Sequence, residues 1–247
     1  MPQKKKSRLD RLLFQRGLAG SRAKAKAVIM AGLVEVDGAR VDKPGYLVRD
    51  EAAISLKEAH PRYVSRGGQK LEAALEHFSV NVDSLTMLDV GASTGGFTDC
   101  LLKHGASKII AIDVGYGQFD WTLRQDPRVE VLEKTNVRYL KPERLKSPAH
   151  GAVIDVSFIS LRLVVPPVSD LLTDDAFIIA LIKPQFEVGK GQVGKGGVVR
   201  DPLLHRDVIE TLQRFFETSG WLVQGHIPSP LLGPKGNREF LMYLTRG

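Results

Sequence analysis

Three charged side chains stand where predicted strands begin or end. Asp155 ends one apolar strand, Lys183 ends the next, and Glu239 begins the last one. The carboxyl ends of adjacent parallel strands line one crevice. An antiparallel final strand begins at that same edge, so we expect Glu239 to meet Asp155 and Lys183. One such residue alone is more often a capping charge or a surface ion pair, whereas three that converge beside a ligand-binding turn indicate chemistry.

A glycine-rich turn between a buried strand and a helix predicts the ligand site. Met87, Leu88 and Val90 form an apolar strand pattern, and Leu101 and Leu102 continue a helical pattern after the turn. Such a turn presents free backbone N–H groups and the positive end of a helix to a nucleotide-like ligand. The predicted binding residues are Asp89, Gly91, Ala92, Ser93, Thr94, Gly95, Gly96 and Phe97.

The glycine spacing of this turn favours S-adenosylmethionine over a dinucleotide. Gly91-x-x-x-Gly95-Gly96 lacks the tight pyrophosphate turn of Gly-x-Gly-x-x-Gly. Asp89 suits a cationic ligand, and S-adenosylmethionine carries an α-amino group and a sulfonium. Asp113, at the end of the second strand, is placed to accept hydrogen bonds from both ribose hydroxyls, although dehydrogenases share that acid. Asn136 either contacts the adenine or is a plain turn residue.

The elements that must position these residues alternate between strands and helices. Near-continuous apolar strands separated by helices predict a doubly wound, mostly parallel seven-stranded α/β sheet with an antiparallel last strand. The predicted helices lie near 96–104, 118–125 and 160–172, with a longer one after Asp201-Pro202 and an earlier one after Arg66-Gly67-Gly68. The predicted strands are 86–91, 108–114, 129–133, 151–156, 176–182, 221–227 and 239–245.

The first quarter of the chain carries almost all of the excess positive charge. Residues 1–70 hold 16 Lys and Arg against 7 Asp and Glu, a net of +9, and the remainder hold 19 against 21, a net of −2. This asymmetry predicts a module for a polyanion, most often nucleic acid. After a basic tail at 1–6, predicted to be disordered, we expect a helix capped by Ser7, a helix capped by Ser21, a hairpin at Asp37-Gly38 and a closing strand near Ile54.

This helix–helix–hairpin module resembles the S-four-type RNA-binding domain, named after a small-subunit ribosomal protein. The resemblance rests on Arg8-Leu9-Asp10, Arg16-Gly17-Leu18, Ser21-Arg22, 32–38 and 41–44. It implies a small α+β domain over 7–59 and a linker at 60–65. It also implies that the following cations face RNA phosphates, which position a protein without specifying sequence: Arg8, Arg11, Arg22, Lys24 and Lys26.

The remainder, 66–247, is similar to an FtsJ-like ribose methyltransferase, and the whole chain resembles the TlyA family, historically called hemolysin A. The matching motifs are 63–71, 89–98, 155–161, 183–187 and Gly236-Asn237-x-Glu239. The resemblance implies S-adenosylmethionine-dependent 2′-O-methylation of ribosomal RNA, with ribosomal RNA or ribosomal subunits as partner. It also places Arg66 at the RNA. The Lys-Asp-Lys-Glu tetrad of the family carries over as Lys70, Asp155, Lys183 and Glu239.

The chemistry implied for this tetrad is physically reasonable. A ribose hydroxyl is a poor nucleophile that must lose its proton as it attacks the sulfonium methyl in line. A neutral lysine can accept that proton, and burial near a second cation favours neutral lysine. The hypothesis is that Lys183 is the general base, that Lys70 assists it or steers the 2′-hydroxyl, and that Asp155 and Glu239 orient the two lysines.

Composition excludes several other classes of protein. A single cysteine, Cys100, rules out an internal disulfide, and six scattered histidines lack metal-ligand spacing. The longest apolar run, 176–182, is too short to span a bilayer, and the basic N-terminus lacks the apolar region of a signal peptide. We therefore expect a cytoplasmic protein that binds neither metal nor membrane. The alternatives are a non-catalytic RNA-binding protein on this fold and, with least support, a membrane-lytic hemolysin.

A second glycine-rich stretch imitates a phosphate-binding loop. Residues 189–195 satisfy the first seven positions of a P-loop, but Gly196 stands where Ser or Thr should bind magnesium. A flexible basic loop near the substrate explains the stretch better.

Overall fold

The computed structural model describes residues 6–30, 32–56, 62–189 and 191–246. The chain divides into two compact units, Met1–His60 and Pro61–Gly247. The predicted tail, apart from Lys6, lies outside the described residues, as do residues 57–61 and therefore the start of the predicted linker.

The first unit combines two helices with two small antiparallel sheets. One sheet pairs β1 with β4, and the other has the strand order β3-β2-β5. In chain order the elements are β1 (Lys6–Arg8), α1 (Leu9–Gln15), α2 (Arg22–Met30), β2 (Val34–Val36), β3 (Ala39–Arg40), β4 (Leu47–Arg49) and β5 (Ile54–Leu56). Leu9, Leu13, Ala25 and Ile29 are fully buried between the helices and β2. This is the predicted α+β module.

Local chemistry explains two of these elements. The Ser21 hydroxyl accepts a hydrogen bond from the Lys24 backbone N–H at 3.1 Å, so Ser21 caps α2 as predicted. Asp37 and Gly38 have φ of 51° and 81°, the positive values that a tight two-residue hairpin turn requires. The Asp37 carboxylate also accepts from the Ala53 backbone N–H at 2.9 Å, which ties the turn to the segment leading into β5.

The predicted cap of the first helix is wrong. Ser7 lies within β1, and Arg8 precedes α1 without a side-chain capping bond. The first N–H groups of α1 are satisfied instead by the loop after β3: the Leu9 N–H donates to the Tyr46 carbonyl at 2.9 Å and the Asp10 N–H to the Pro44 carbonyl at 3.1 Å. A helix whose first donors bind a neighbouring loop needs no capping hydroxyl.

The second unit is a seven-stranded sheet in the order β11-β12-β10-β9-β6-β7-β8. All pairings from β10 to β8 are parallel, and β12 is antiparallel to both of its neighbours. The mostly parallel sheet with an antiparallel last strand is therefore confirmed. Its strands are β6 (Thr86–Val90), β7 (Lys108–Ile112), β8 (Val129–Leu132), β9 (Ala149–Ile154), β10 (Leu172–Ile182), β11 (Trp221–Pro228) and β12 (Phe240–Arg246).

Helices cover both faces of this sheet. Alternate strand residues point to opposite sides, so Leu88 joins one apolar cluster and Met87 the other. Leu212 and Phe216 lie in the first cluster, and Leu71 lies in the second. The α-helices are α3 (Gly67–His77), α4 (Gly96–Lys103), α5 (Trp121–Arg124), α6 (Val165–Ser169), α7 (Pro184–Glu187) and α8 (Pro202–Thr218).

The segment just before α3 is part of the second unit and not a linker. Tyr63 is 1% exposed, within the cluster that contains Leu71. Its hydroxyl donates to the Glu72 carboxylate at 2.7 Å, and the Val64 N–H donates to the Asp99 carboxylate at 2.8 Å. The predicted linker at 60–65 is thus too long at its carboxyl end, because a large aromatic ring buries itself there.

Candidate active site

The turn after β6 approaches its neighbours too closely for side chains. Gly91 has φ of 84°, and a Cβ there would collide with the backbone carbonyl of Asp155. Gly95 has φ of 92° and immediately precedes α4, where a Cβ would meet Leu123 at 2.6 Å. Glycine is required at both positions because the backbone is left-handed and the space is filled. The two glycines therefore let the turn pack directly against Asp155 and Leu123.

Asp89 has one carboxylate oxygen without a partner among the described residues. It is fully buried, and its Oδ2 accepts from the Thr98 hydroxyl at 2.6 Å, whereas Oδ1 makes no hydrogen bond. Burial raises the pKa of Asp89 to about 7, and the nearby Asp155 and Asp113 carboxylates act in the same direction. Such an oxygen beside a cavity fits a ligand that brings its own positive charge.

Two adjoining cavities meet at this turn. The first, of about 450 Å³, is lined by Asp89, the turn residues, Arg66, Lys70, Asp155 and the segment 231–234. The second, of about 480 Å³, is lined by Asp113, Asn136, Ser157 and Phe158 among others. Gly91, Ser93 and Asp155 line both cavities. Together they offer an extended site along the carboxyl ends of the parallel strands.

Asp113 and Asn136 both line the second cavity. The Asp113 carboxylate accepts from the Ser93 N–H at 2.7 Å and from the Gly115 N–H at 2.6 Å, which fixes its orientation. The Asn136 side-chain oxygen accepts from the Arg138 N–H at 3.1 Å, the local bond of a turn residue. Of the two roles considered for Asn136, the structure shows the turn role and also places the residue at the cavity wall.

Four charged residues form two short ion pairs, and one member of each pair, Lys70 and Asp155, lines the first cavity. Lys70 Nζ lies 2.6 Å from Glu239 Oε2, and Lys183 Nζ lies 2.6 Å from Asp155 Oδ1. Lys183 Nζ also donates to the Ser157 hydroxyl at 2.8 Å. Lys183 and Glu239 are only 9% and 2% exposed, so these charges are paired away from bulk water.

The sheet topology explains how distant positions meet. Asp155 follows β9 and Lys183 follows the adjacent parallel strand β10, so their side chains emerge at the same edge. Ile182 pairs with Phe240 at the end of the β10–β12 ladder, which places Glu239 at that edge too. Lys70, in the first turns of α3, lies 169 positions before the Glu239 that binds it. The direct partner of Glu239 is therefore Lys70.

Three polar residues that support the site were assigned no site role from the sequence, although each lies within one of the matching motifs. Ser157 binds Lys183. Glu187 accepts from the Ser160 hydroxyl at 2.6 Å and the Leu161 N–H at 2.8 Å, which braces the loop after Asp155. Asn237 is 3% exposed and joins two loops, since its side chain accepts from the Val199 N–H at 3.1 Å and donates to the Gly197 carbonyl at 3.0 Å. The available signal was a polar residue two to four positions from a charge at a strand end.

The predicted RNA-binding cations are exposed. Arg66 lies at the first cavity of the second unit. Two of those in the first unit also bind an internal carboxylate, Asp10. The predicted cations of the first unit, all of them exposed, are Arg8, Arg11, Arg22, Lys24 and Lys26.

Among the described residues, no group of three or more His, Cys, Asp and Glu side chains is arranged to hold a metal ion. No helix within the described ranges is both long and apolar enough to cross a membrane. Lys190, in the stretch that imitates a P-loop, lies outside the described residues.

Comparison with known families agrees with the two-unit architecture. The FtsJ-like methyltransferase family matches residues 63–246, and the S4 domain matches residues 7–54. The Bacillus subtilis protein YqxC is 50% identical over 97% of this chain and 86% of its own length. The Mycobacterium tuberculosis 16S/23S rRNA (cytidine-2′-O)-methyltransferase TlyA is 47% identical over 97% of this chain and 90% of its own.

Solved structures show the same similarity. A Streptococcus thermophilus protein with 45% sequence identity superposes with a TM-score of 0.76, covering 98% of this chain and 89% of that one. More distantly related proteins also share the fold of the second unit. The N-methyltransferase NodS of Bradyrhizobium japonicum, in complex with S-adenosylhomocysteine, has a TM-score of 0.52 at 14% identity over 76% of this chain and 89% of its own.

Proposed function

We propose, because this chain belongs to the FtsJ-like methyltransferase family and within it to the TlyA family of rRNA methyltransferases, that it methylates a ribose 2′-hydroxyl of ribosomal RNA with S-adenosylmethionine as donor. The observation that carries the proposal is the pairing of two lysines with two carboxylates beside the Asp89 turn. The turn also lacks the Gly-x-Gly-x-x-Gly spacing of a dinucleotide-binding enzyme.

The residues around the turn fit S-adenosylmethionine. The unpartnered Asp89 Oδ1 would accept from the α-amino group of the cofactor, and Asp113 would accept from its ribose hydroxyls with the lone pairs that Ser93 and Gly115 leave. Asn136 would lie near the adenine at the wall of the second cavity. When bound, the cofactor supplies an electrophilic methyl group on a sulfonium.

The chain's own residues handle the proton and the orientation of the acceptor. Lys183 in its neutral form would take the 2′-hydroxyl proton as the oxygen–carbon bond forms and the carbon–sulfur bond breaks, with the sulfur leaving as a neutral thioether. Asp155 and Ser157 hold Nζ in place. Lys70, fixed by Glu239, would steer the hydroxyl oxygen toward the methyl group. Alignment of oxygen, carbon and sulfur would supply much of the acceleration.

RNA recognition is assigned mainly to the first unit. The exposed cations Arg8, Arg11, Arg22, Lys24 and Lys26 would bind phosphates, and Arg66 would bind RNA beside the catalytic cavity. We assign residues 7–59 to RNA binding and 66–247 to catalysis, with Arg62–Ser65 as part of the catalytic unit. A ribosomal substrate would place the protein in the cytoplasm.

Transfer of labelled methyl groups from S-adenosylmethionine to purified ribosomal subunits tests the function, with 2′-O-methyl positions mapped in the rRNA. Lys183→Ala should lower the rate by about 10²- to 10⁴-fold while calorimetry shows unchanged cofactor affinity. The matched control is Lys108→Ala. Lys108 pairs with Glu130 at the start of β7, so it lies at the amino ends of the parallel strands, away from the site. Near-normal turnover by Lys183→Ala refutes the assignment of the base.

The same assay addresses the alternative of a non-catalytic RNA-binding protein. That reading requires the wild-type chain to bind rRNA without transferring a methyl group to any ribosomal RNA. Methylation by wild type that is lost in Lys183→Ala excludes it.

A further inference from the structure

A fully buried carboxylate in the first unit binds two arginines. Asp10, in the first turn of α1, has no exposed surface. Arg8 Nε donates to its Oδ1 at 3.0 Å and Arg8 Nη2 to its Oδ2 at 3.3 Å, and Arg22 Nη2 donates to Oδ2 at 3.1 Å. One carboxylate thus joins side chains from β1 and α2.

The two arginines remain accessible and close together. Their side chains are 50% and 54% exposed. Since both Nη2 atoms bind Oδ2, at 3.3 and 3.1 Å, they lie within about 6.4 Å of each other. A guanidinium carries five donors, of which Asp10 takes two from Arg8 and one from Arg22. Two positive charges against one negative charge leave the group cationic.

We propose that Asp10 is a positioning residue for RNA binding, which holds Arg8 and Arg22 together so that both bind one phosphate group. The proposal rests on the proposed function, which supplies RNA as the substrate. Two neighbouring guanidiniums repel each other, and ordering two long side chains on binding costs conformational entropy. Asp10 offsets the repulsion and orders both side chains when the unit folds, before RNA arrives.

The electrostatics of the group are consistent with this role. The hydrogen bond from Arg8 is the main cause that holds the pKa of Asp10 below its ordinary value, and the bond from Arg22 adds to it. The pKa of Arg8 is raised in turn by Asp10. The carboxylate therefore stays ionised at neutral pH, and the two arginines stay fixed.

The direction in which Asp10→Asn changes the affinity for RNA distinguishes a positioning role from a purely electrostatic one. Asp10→Asn removes a negative charge from an RNA-binding unit, so charge alone predicts tighter binding to isolated ribosomal subunits. Our proposal predicts binding about tenfold weaker, with KM for the subunits raised and kcat unchanged. Asp42→Asn removes the same charge at an exposed position of the unit and should bind as tightly as wild type or slightly more tightly.

A double-mutant cycle of Arg8 and Arg22 tests whether both side chains bind one phosphate group. This test does not require Asp10→Asn to fold. Filter binding over a range of salt concentrations should give non-additive losses for Arg8→Ala and Arg22→Ala. The slope of log affinity against log salt should fall by about one for the double variant. A fall of about two with additive losses, or binding by folded Asp10→Asn as tight as wild type, overturns the proposal.

Methyl transfer by wild type, measured on the same subunits, keeps the two conclusions separate. If wild type methylates rRNA while Asp10→Asn binds as tightly, the positioning role is wrong and the function stands. If wild type transfers no methyl group, the proposed function fails whatever Asp10 does.

Discussion

Replacing Asp89 by asparagine should stabilise the protein at pH 8 while weakening cofactor binding. Asp89 is fully buried, and burial raises its pKa from 3.8 to about 7. The folded state therefore holds a proton between about pH 4 and pH 7 that the unfolded state has released. The contribution of Asp89 to the free energy of unfolding therefore falls as pH rises through this window and is constant above it. Each tenfold change in proton affinity is worth about 1.4 kcal/mol, so the cost at pH 8 is about 4 kcal/mol.

Asparagine cannot ionise and retains an oxygen that accepts from the Thr98 hydroxyl. Asp89→Asn should thus gain up to about 4 kcal/mol in free energy of unfolding at pH 8 and little at pH 4. Urea unfolding of both proteins at the two pH values measures the difference. Asp126→Asn is the matched control, because Arg128 lowers the pKa of Asp126 and its loss should slightly destabilise the protein instead.

The same carboxylate links cofactor binding to a proton. At pH 6 about nine-tenths of a group with a pKa of about 7 is protonated, and pairing with the α-amino group of S-adenosylmethionine requires the ionised form. Calorimetry in buffers of different ionisation enthalpy should therefore detect release of nearly one proton per cofactor from wild type and none from Asp89→Asn. The reasoning is refuted if Asp89→Asn differs from wild type in free energy of unfolding by the same amount at pH 4 and pH 8. It is also refuted if wild type releases no proton on binding the cofactor at pH 6.

Three further substitutions test the packing around the site. Gly233→Ala places a Cβ against the Glu239 carboxylate and should displace the Lys70 that this carboxylate binds. We expect kcat to fall about 10- to 100-fold, and an unchanged kcat in methyl transfer would contradict this. Ser157→Ala removes the hydroxyl bonded to Lys183 and should lower kcat about tenfold with cofactor affinity unaltered in calorimetry. Leu212→Ala, at a fully buried position of α8, should cost about 2–5 kcal/mol in urea unfolding, whereas the exposed Leu203→Ala in the same helix should cost under about 0.5 kcal/mol.

The strand-end positions of the catalytic unit could be predicted because periodicity and parallel topology determine them together. Asp155 and Lys183 follow apolar strands that pair side by side, so their common edge is a consequence of the alternating pattern. The pairing of Lys70 with Glu239 could not be predicted in this way. It depends on how α3 packs against the sheet, and no local pattern specifies a contact across 169 positions.

The two wrong predictions also have causes that are distant in sequence or tertiary. Ser7 was expected to cap α1, but carbonyl groups of Pro44 and Tyr46, distant in sequence, satisfy the same donors. Tyr63 lies two positions after Pro61 in a polar stretch typical of a linker, yet its ring is buried against α3. In both cases tertiary contacts decided between two locally acceptable structures, which composition cannot do.

The placement of β12 between β10 and β11 determines when the site can exist during synthesis. A nascent chain that has emerged only as far as Ile182 contains Lys70 and Asp155, but it lacks the strand whose entry brings Glu239. β11 pairs with β12 alone, so it too waits for that strand. The entry of β12 into the sheet therefore completes the Lys70–Glu239 pair, and a chain without this strand would lack that pair.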